Sequence, residues 1–234
     1  TQSRSSAASD VYKRQQQFCK DNNILFIEDA AQSLGSSLHN VRAGTIGDCS
    51  VYSFNSNKVI AGINGGGVVL TDNQDIANCV KIIRRHGKDK DFSMIGYNSR
   101  MYVLNAEIIN LRLRHAERNQ ERRQQIAHKY NTAFADLPVV TQGMSNGLNH
   151  NYHKYVVRFE DKDTRKRVKN AVNASIHYET PLSANSMYNS VDSRSDACTA
   201  SKTASNTVLS LPIHAWLTSS EISTIIAVSY THLT

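Results

Sequence analysis

Short apolar runs and helical spacings alternate along the chain. Ile24-Leu25-Phe26-Ile27 closes on Glu28-Asp29, the pattern of a buried parallel strand whose carboxyl end delivers an acidic side chain. Val51-Tyr52-Ser53-Phe54 and Gly67-Val68-Val69-Leu70-Thr71 predict two more strands, joined by a polar and glycine-rich connection. From Asp72 to Arg85 the residues Ile76, Val80 and Ile83 share one helical face, with Asp72 as the expected N-cap. Between Val103 and Phe134, helical spacing is kept by Leu104, Ile108 and Leu111 and again by Ile126, Tyr130 and Phe134, across a charged stretch. One long helix or two consecutive helices fit. Beyond Asp136-Leu137-Pro138 the character shifts to short strands such as Tyr155-Val156-Val157-Arg158-Phe159, ending in a helical segment near Glu221 to Val228. A large α/β domain over 15–135 and a smaller α+β domain over 136–228 are therefore expected, with no internal repeat.

The two ends break this pattern. Residues 1–14 are rich in Ser, Ala and basic side chains without periodicity, and 229–234 resemble the same kind of translated adapter sequence, so both are expected to be non-native tails. At 40% apolar residues the body can bury a core. It has no run of about 18 apolar residues to cross a bilayer and no signal-peptide order at its start, which makes the cytoplasm the expected location.

Cys19, Cys49, Cys79 and Cys198 are scattered, with no Cys-x-x-Cys pair, and His150 and His153 lack a companion at metal-ligand spacing, so no metal is expected. The formal net charge of +7 raises a nucleic-acid reading. The basic cluster Arg112, Arg114, Arg118, Arg122, Arg123 and Lys129 is mixed with Glu117 and Glu121, however, and carries no interleaved aromatics. A solvated helix face, or one that meets substrate phosphates, is the expected role.

Three chemistry-bearing residues stand in order: Asp29 at a strand end, Ser53 after the next strand, and Lys58 in the following loop. An aspartate against a pyridine nitrogen, a lysine amine for covalent attachment and a hydroxyl for a phosphate are the parts that pyridoxal phosphate (PLP) requires. Singly, each has a plainer explanation, because strand-end aspartates cap helices and a lysine among Asn and Ser is ordinarily solvated.

The surrounding text carries more. Ile27-Glu28-Asp29-Ala30-Ala31-Gln32-Ser33-Leu34-Gly35, Gly44-Thr45-Ile46-Gly47-Asp48, Tyr52-Ser53-Phe54-Asn55-Ser56-Asn57-Lys58 and Gly65-Gly66-Gly67-Val68-Val69 follow one another in order. Arg85-His86-Gly87, Gly96-Tyr97-Asn98-Ser99-Arg100-Met101, Tyr152-His153-Lys154-Tyr155, Ile176-His177-Tyr178 and Leu211-Pro212-Ile213-His214 continue the series. Together these motifs resemble the DegT/DnrJ/StrS family of PLP-dependent sugar aminotransferases, within the fold-type I enzymes, over about residues 15–228.

The resemblance implies a fold-type I transferase: a partial large domain with a mostly parallel sheet, plus the smaller α+β domain. It implies transfer of an amino group, usually from glutamate, to a keto carbon of a nucleotide-diphosphate sugar in amino-sugar biosynthesis, for example for cell-surface polysaccharide. Residue by residue it makes Lys58 the lysine that holds PLP and moves the proton, and Asp29 the partner of the pyridine nitrogen. Ala31 would back the ring, Gln32 would donate to the ring oxygen, and Ser53 would bind the phosphate. Asn98 would reach the cofactor phosphate of a neighbouring subunit, which implies a homodimer. His177 and Tyr178 fall where the sugar is approached. Gly62, Gly65, Gly66 and Gly67 would give a tight backbone passage after the lysine loop.

Family members also have a segment ahead of Asp29 with a phosphate-cradling turn and a ring-stacking residue, and no counterpart is found in this sequence. The stretch from Lys166 to Ser175 looks shortened as well. On this basis the chain is expected to bind PLP poorly or not at all. Two rival activities are a sugar dehydratase of the same family, in which a histidine stands at the position of Lys58, and a regulatory or binding protein that keeps the fold without turnover.

Overall fold

The computed structural model describes residues 14–89, 91–188, 190 and 198–233. The remainder of the expected tails, 1–13 and 234, lies outside the described residues. The chain divides into two compact units, the first running to Glu121 and regaining Met144–His153, the second comprising Arg122–Gly143 and the residues from Lys154 onward. The division falls earlier than the expected boundary near 136. Its cause is the apolar stripe Ile126, Ala127 and Tyr130, which is fully buried in the core of the second unit.

In the first unit, helix α1 (14–21) precedes β1 (Ile27–Asp29). A hairpin of β2 (Ser37–Leu38) and β3 (Val41–Arg42) follows, then β4 (Cys49–Ser53), β5 (Gly67–Leu70), α2 (Gln74–Ile83) and α3 (Val103–Leu113). Helix α4 (Ala116–Ala133) crosses the division. The principal sheet has the order β1-β4-β5: β1 runs parallel to β4, with Asp29 opposite Val51, and β5 is antiparallel to β4. The strand predicted over Ile24 to Ile27 is thus shorter and later, and Leu25 and Ile27 are exposed rather than buried, because β1 is the edge strand of the described sheet.

Side chains alternate between sheet faces. Register therefore puts Asp29, Val51 and Ser53 on one face and Glu28, Ser50 and Tyr52 on the other. The second face is closed by the loop 43–48. The Glu28 carboxylate, 3% exposed, accepts the amides of Gly44 (2.5 Å) and Ile46 (3.0 Å). Ser50 donates to the Gly44 carbonyl at 2.7 Å, and the Tyr52 hydroxyl donates to the carbonyl of Ala43. Gly44 has φ +87°, and a Cβ there would strike the Tyr52 hydroxyl, so this position requires glycine.

Helix α2 begins one residue later than predicted. Its cap is Asn73, not Asp72, and the Asn73 carboxamide accepts from the amides of Asp75 and Ile76. In α3 the buried residues are Asn105 and Ile109, whereas Leu104 and Leu111 of the expected apolar face are 69% and 55% exposed. The helix is turned so that the polar side chain of Asn105 faces inward.

In the second unit, β6 (Val139–Val140), β8 (Tyr155–Phe159) and β9 (Val208–Leu211) form an antiparallel sheet in the order β6-β8-β9. Between β6 and β8 lies β7 (Leu148–Asn149), which instead pairs with β2 in the first unit. Helices α5 (Lys162–Val172), α6 (Thr199–Thr207) and α7 (Ser219–Thr231) complete an α+β arrangement, as expected. The stretch expected to be shortened contains most of α5; after the left-handed Asn173 the chain passes at once to a bridge between Ser175 and Ser210. Tyr130 contacts Phe134 and Tyr155 by its ring and donates to the Pro212 carbonyl at 2.9 Å. Burial pushes its phenol well above the ordinary tyrosine range.

The basic cluster also differs from expectation. Arg112, Arg122 and Arg123 donate to the carbonyls of Ala61, Leu217 and Ile213, so half of the cluster is hydrogen-bonded to backbone.

Replacing Glu28 by Ala would leave two interior amides without an acceptor. A loss of about 2 kcal/mol is expected in urea denaturation followed by circular dichroism, and a smaller loss for Tyr52→Phe, which strands only one carbonyl.

Candidate functional site

Asp29 and Ser53 share one face of the principal sheet. Asp29 ends β1 and Ser53 ends the adjacent parallel strand β4, on the same face and at the carboxyl ends where ligands of open α/β sheets bind. Asp29 is exposed; one carboxylate oxygen accepts the Ala31 amide at 3.1 Å. The Ser53 hydroxyl accepts the Asn55 amide at 3.3 Å, which leaves its own proton to donate. Lys58 follows on a turn closed by its amide on the Asn55 carbonyl at 2.9 Å, and it is half-buried.

The lysine loop is braced on both sides. Phe54 donates its amide to the Gly66 carbonyl (2.8 Å) and accepts the Gly62 amide (2.7 Å), so the loop 54–66 closes on itself. Phe54 and Ile60 are buried against Ile109 of α3. Gly65 and Gly66 have φ of +71° and +122°, the tight passage expected of the glycines. The turn after Asp29 is braced as well. The Asn151 carboxamide, 2% exposed, donates to the carbonyls of Gln32 (2.9 Å) and Leu34 (3.0 Å), and Gln120 donates to that of Gly35 (3.0 Å). Ala31 is half-buried and the Gln32 side chain is exposed.

Sequence reasoning missed Asn105, Asn151 and Gln120, whose carboxamides hold these loops. A buried Asn inside a helix or beside a histidine pair has no periodic signal, because its partners lie far away in sequence. Asn98 is exposed on a bridge to Arg85, where the amides of Tyr97 and Ser99 donate to the carbonyls of Ile83 and Arg84 at the end of α2. A groove of about 930 Å³ between β5 and α2, lined among others by Val51, Val69, Val80, Ile83 and Met101, includes neither Asp29 nor Lys58.

His177 and Tyr178 belong to the second unit. The His177 ring nitrogen Nδ1 lies 2.9 Å from the Ser210 hydroxyl, and Tyr178, 71% exposed, meets the imidazole edge-on. Burial, and secondarily the Lys154 ammonium, hold the His177 imidazole below its ordinary pKa, so the neutral ring is favoured.

The family model of the DegT/DnrJ/EryC1/StrS aminotransferases matches residues 9–228. A Geobacillus stearothermophilus protein named pleiotropic regulatory protein is 28% identical over 202 residues, covering 83% of this chain and 54% of its own. The UDP-2-acetamido-2-deoxy-3-oxo-D-glucuronate aminotransferase of Pseudomonas aeruginosa is 29% identical over 208 residues, with 87% and 57% covered. The chain thus spans little more than half the length of these relatives. A solved DegT/DnrJ/EryC1/StrS aminotransferase from Brucella abortus superposes with a TM-score of 0.86 at 26% identity, over 95% of this chain and 61% of that one.

Removing the Lys154 charge by Lys154→Met should raise the His177 pKa in an NMR titration. The value should remain below that of a free imidazole, since burial is the larger cause.

Proposed function

Because the chain belongs to the DegT/DnrJ/EryC1/StrS aminotransferase family, we propose that the protein is a PLP-dependent aminotransferase acting on a keto carbon of a nucleotide-diphosphate sugar. The observation that carries this reading is the placement of Asp29 and Ser53 at the ends of adjacent parallel strands on one face, with Lys58 in the braced loop that follows. The Pseudomonas relative, named for a 3-oxo sugar nucleotide, supports the substrate class. Glutamate is the proposed amino donor and amino sugars of cell-surface polysaccharide the proposed destination.

The residues present fit PLP. The second oxygen of Asp29 is available to the protonated pyridine nitrogen, and the Ser53 hydroxyl retains a proton for a phosphate oxygen. Ala31 leaves room beside the ring, and the Gln32 amide would donate to the ring oxygen. When bound, PLP supplies the electron sink that stabilises negative charge at the substrate carbon. Lys58 would hold the group covalently, and its amine would serve to move the proton at that carbon. Asp29 would hold the ring nitrogen in its protonated form. His177 and Tyr178 are proposed sugar contacts, with the imidazole neutral and available to accept or donate.

A homodimer is part of the proposal. Phe92, Ile95, Tyr97, Tyr102 and Val103, flanking Asn98, are 67–91% exposed, an apolar run of the kind that subunit contacts cover. The described cysteines carry free thiols, in keeping with the cytoplasm. A second reading, regulation without turnover, is favoured by the name of the Geobacillus relative.

Borohydride reduction with PLP over a range of concentrations, followed by peptide mass mapping, should place the label on Lys58 ahead of the other lysines; preferential labelling elsewhere would remove the assignment. Lys58→Ala should abolish transamination while leaving any partner binding intact, whereas a regulator would show no transamination in either form. Ile95→Asp should shift the protein toward monomer in light scattering.

A further inference from the structure

Helix α3 presents Asn105, Ile109 and Arg112 at intervals of four and three residues, one stripe along its length. Every member of the stripe meets the loop that carries Lys58. The Asn105 carbonyl oxygen accepts the amides of Ile63 (2.8 Å) and Asn64 (3.4 Å), and its amide nitrogen donates to the Gly65 carbonyl at 2.8 Å. Ile109 holds Phe54 and Ile60, which flank the lysine on either side. Arg112 donates to the Ala61 carbonyl at 2.5 Å.

Asn105 is only 5% exposed and occupies a position where an apolar residue would ordinarily complete the helix face. Its carboxamide stands in for a neighbouring strand, because residues 63–65 leave the sheet and their polar groups would otherwise lack partners. A Cβ on Gly62 would strike the Gly65 carbonyl and the Asn105 oxygen, so the glycine is what lets the side chain enter. The contact needs a donor and an acceptor on one short planar group, which Leu, Ser or ionised Asp does not provide.

We infer that Asn105 is a positioning residue for Lys58: its paired donor and acceptor lock the glycine return and thereby fix where the lysine amine stands. This rests on the reading of Lys58 as the cofactor lysine. The inference adds that α3, rather than the loop itself, sets the amine's position. Asn105 touches no reacting atom and acts through the backbone of 62–65.

The test compares the full chain with Asn105→Asp and Asn105→Leu by amide hydrogen exchange and by borohydride fixation of PLP. Loss of the paired hydrogen bonds should speed exchange in peptides spanning 59–66 by about tenfold or more, with peptides of the second unit unchanged. The fraction of label on Lys58 should fall several-fold in both variants at about pH 8, where a carboxylate at 105 cannot donate. A buried carboxyl regains a donor when protonated, so in Asn105→Asp the protection of 59–66 should return toward native at about pH 5, after correction for intrinsic exchange. Asn105→Leu should show no such return. The pH reversal is read on one folded sample, so misfolding of the Leu variant does not decide the outcome. Unchanged exchange over 59–66, or an Asp variant without pH reversal, overturns the inference. Faster loop exchange with native labelling of Lys58 overturns it too, since the loop would then not set the amine. A native chain labelled preferentially at another lysine refutes the cofactor reading instead, whatever the exchange shows.

Discussion

Glu28 is almost fully buried, and its two oxygens are spent on the amides of Gly44 and Ile46. A carboxylate removed from water is costly unless its lone pairs are met, and here the loop 43–48 meets them by folding over one face of the sheet. Ser50 and Tyr52, alternating with Val51 on β4, fasten the same loop. Strand alternation then leaves Asp29 and Ser53 on the opposite, open side. Register is the controlling quantity: a slip of one residue in the pairing of β1 with β4 would turn Asp29 into the covered face and Glu28 out of it.

Two neighbouring acids in Glu28-Asp29 therefore have unlike surroundings, one buried against a loop and one turned to the opposite face. The same division recurs in the loops. Phe54, Ile60 and Ile109 supply apolar burial, while carboxamides from distant segments take up the backbone groups that the loops leave unpaired. The face that carries Asp29 and Ser53 rests on polar side chains that are themselves immobilised by burial, the condition under which a site is preorganised.

Much of the fold was legible because it follows from local periodicity. The strand at Tyr155–Phe159 and the closing helix near Glu221–Val228 followed from pattern, whereas spacing left open whether Val103–Phe134 forms one helix or two, and the tight passage at Gly65 and Gly66 was implied by the family resemblance. Where one residue competes with its neighbour, pattern failed: Asp72 and Asn73 are both good caps, and which one serves depends on Thr71, whose hydroxyl accepts the Asn73 amide and donates to the Asp48 carbonyl. The face of α3 was misjudged for a sharper reason. Apolar spacing selected Leu104, Ile108 and Leu111, but the backbone of the glycine loop required a carboxamide, and that requirement turned Asn105 inward. The arginines of the basic cluster misled similarly, since their partners are carbonyls, which composition does not reveal. The ordered motifs single out Asp29, Ser53 and Lys58 as candidates, while the side chains that hold their loops carry no such signal.

Asn151 also bears on the order in which the protein is made. Its partner Gln32 lies 119 residues earlier, and between them the chain has already supplied α4 and the start of the second unit before returning for residues 144–153. At ordinary elongation rates of about 5–20 residues per second, the turn after Asp29 waits roughly ten seconds on the ribosome for the side chain that completes its hydrogen bonds. During that interval the first unit has neither β7 nor the side chain that completes the turn bearing Ala31 and Gln32, so that turn is among the last features of the unit to be completed.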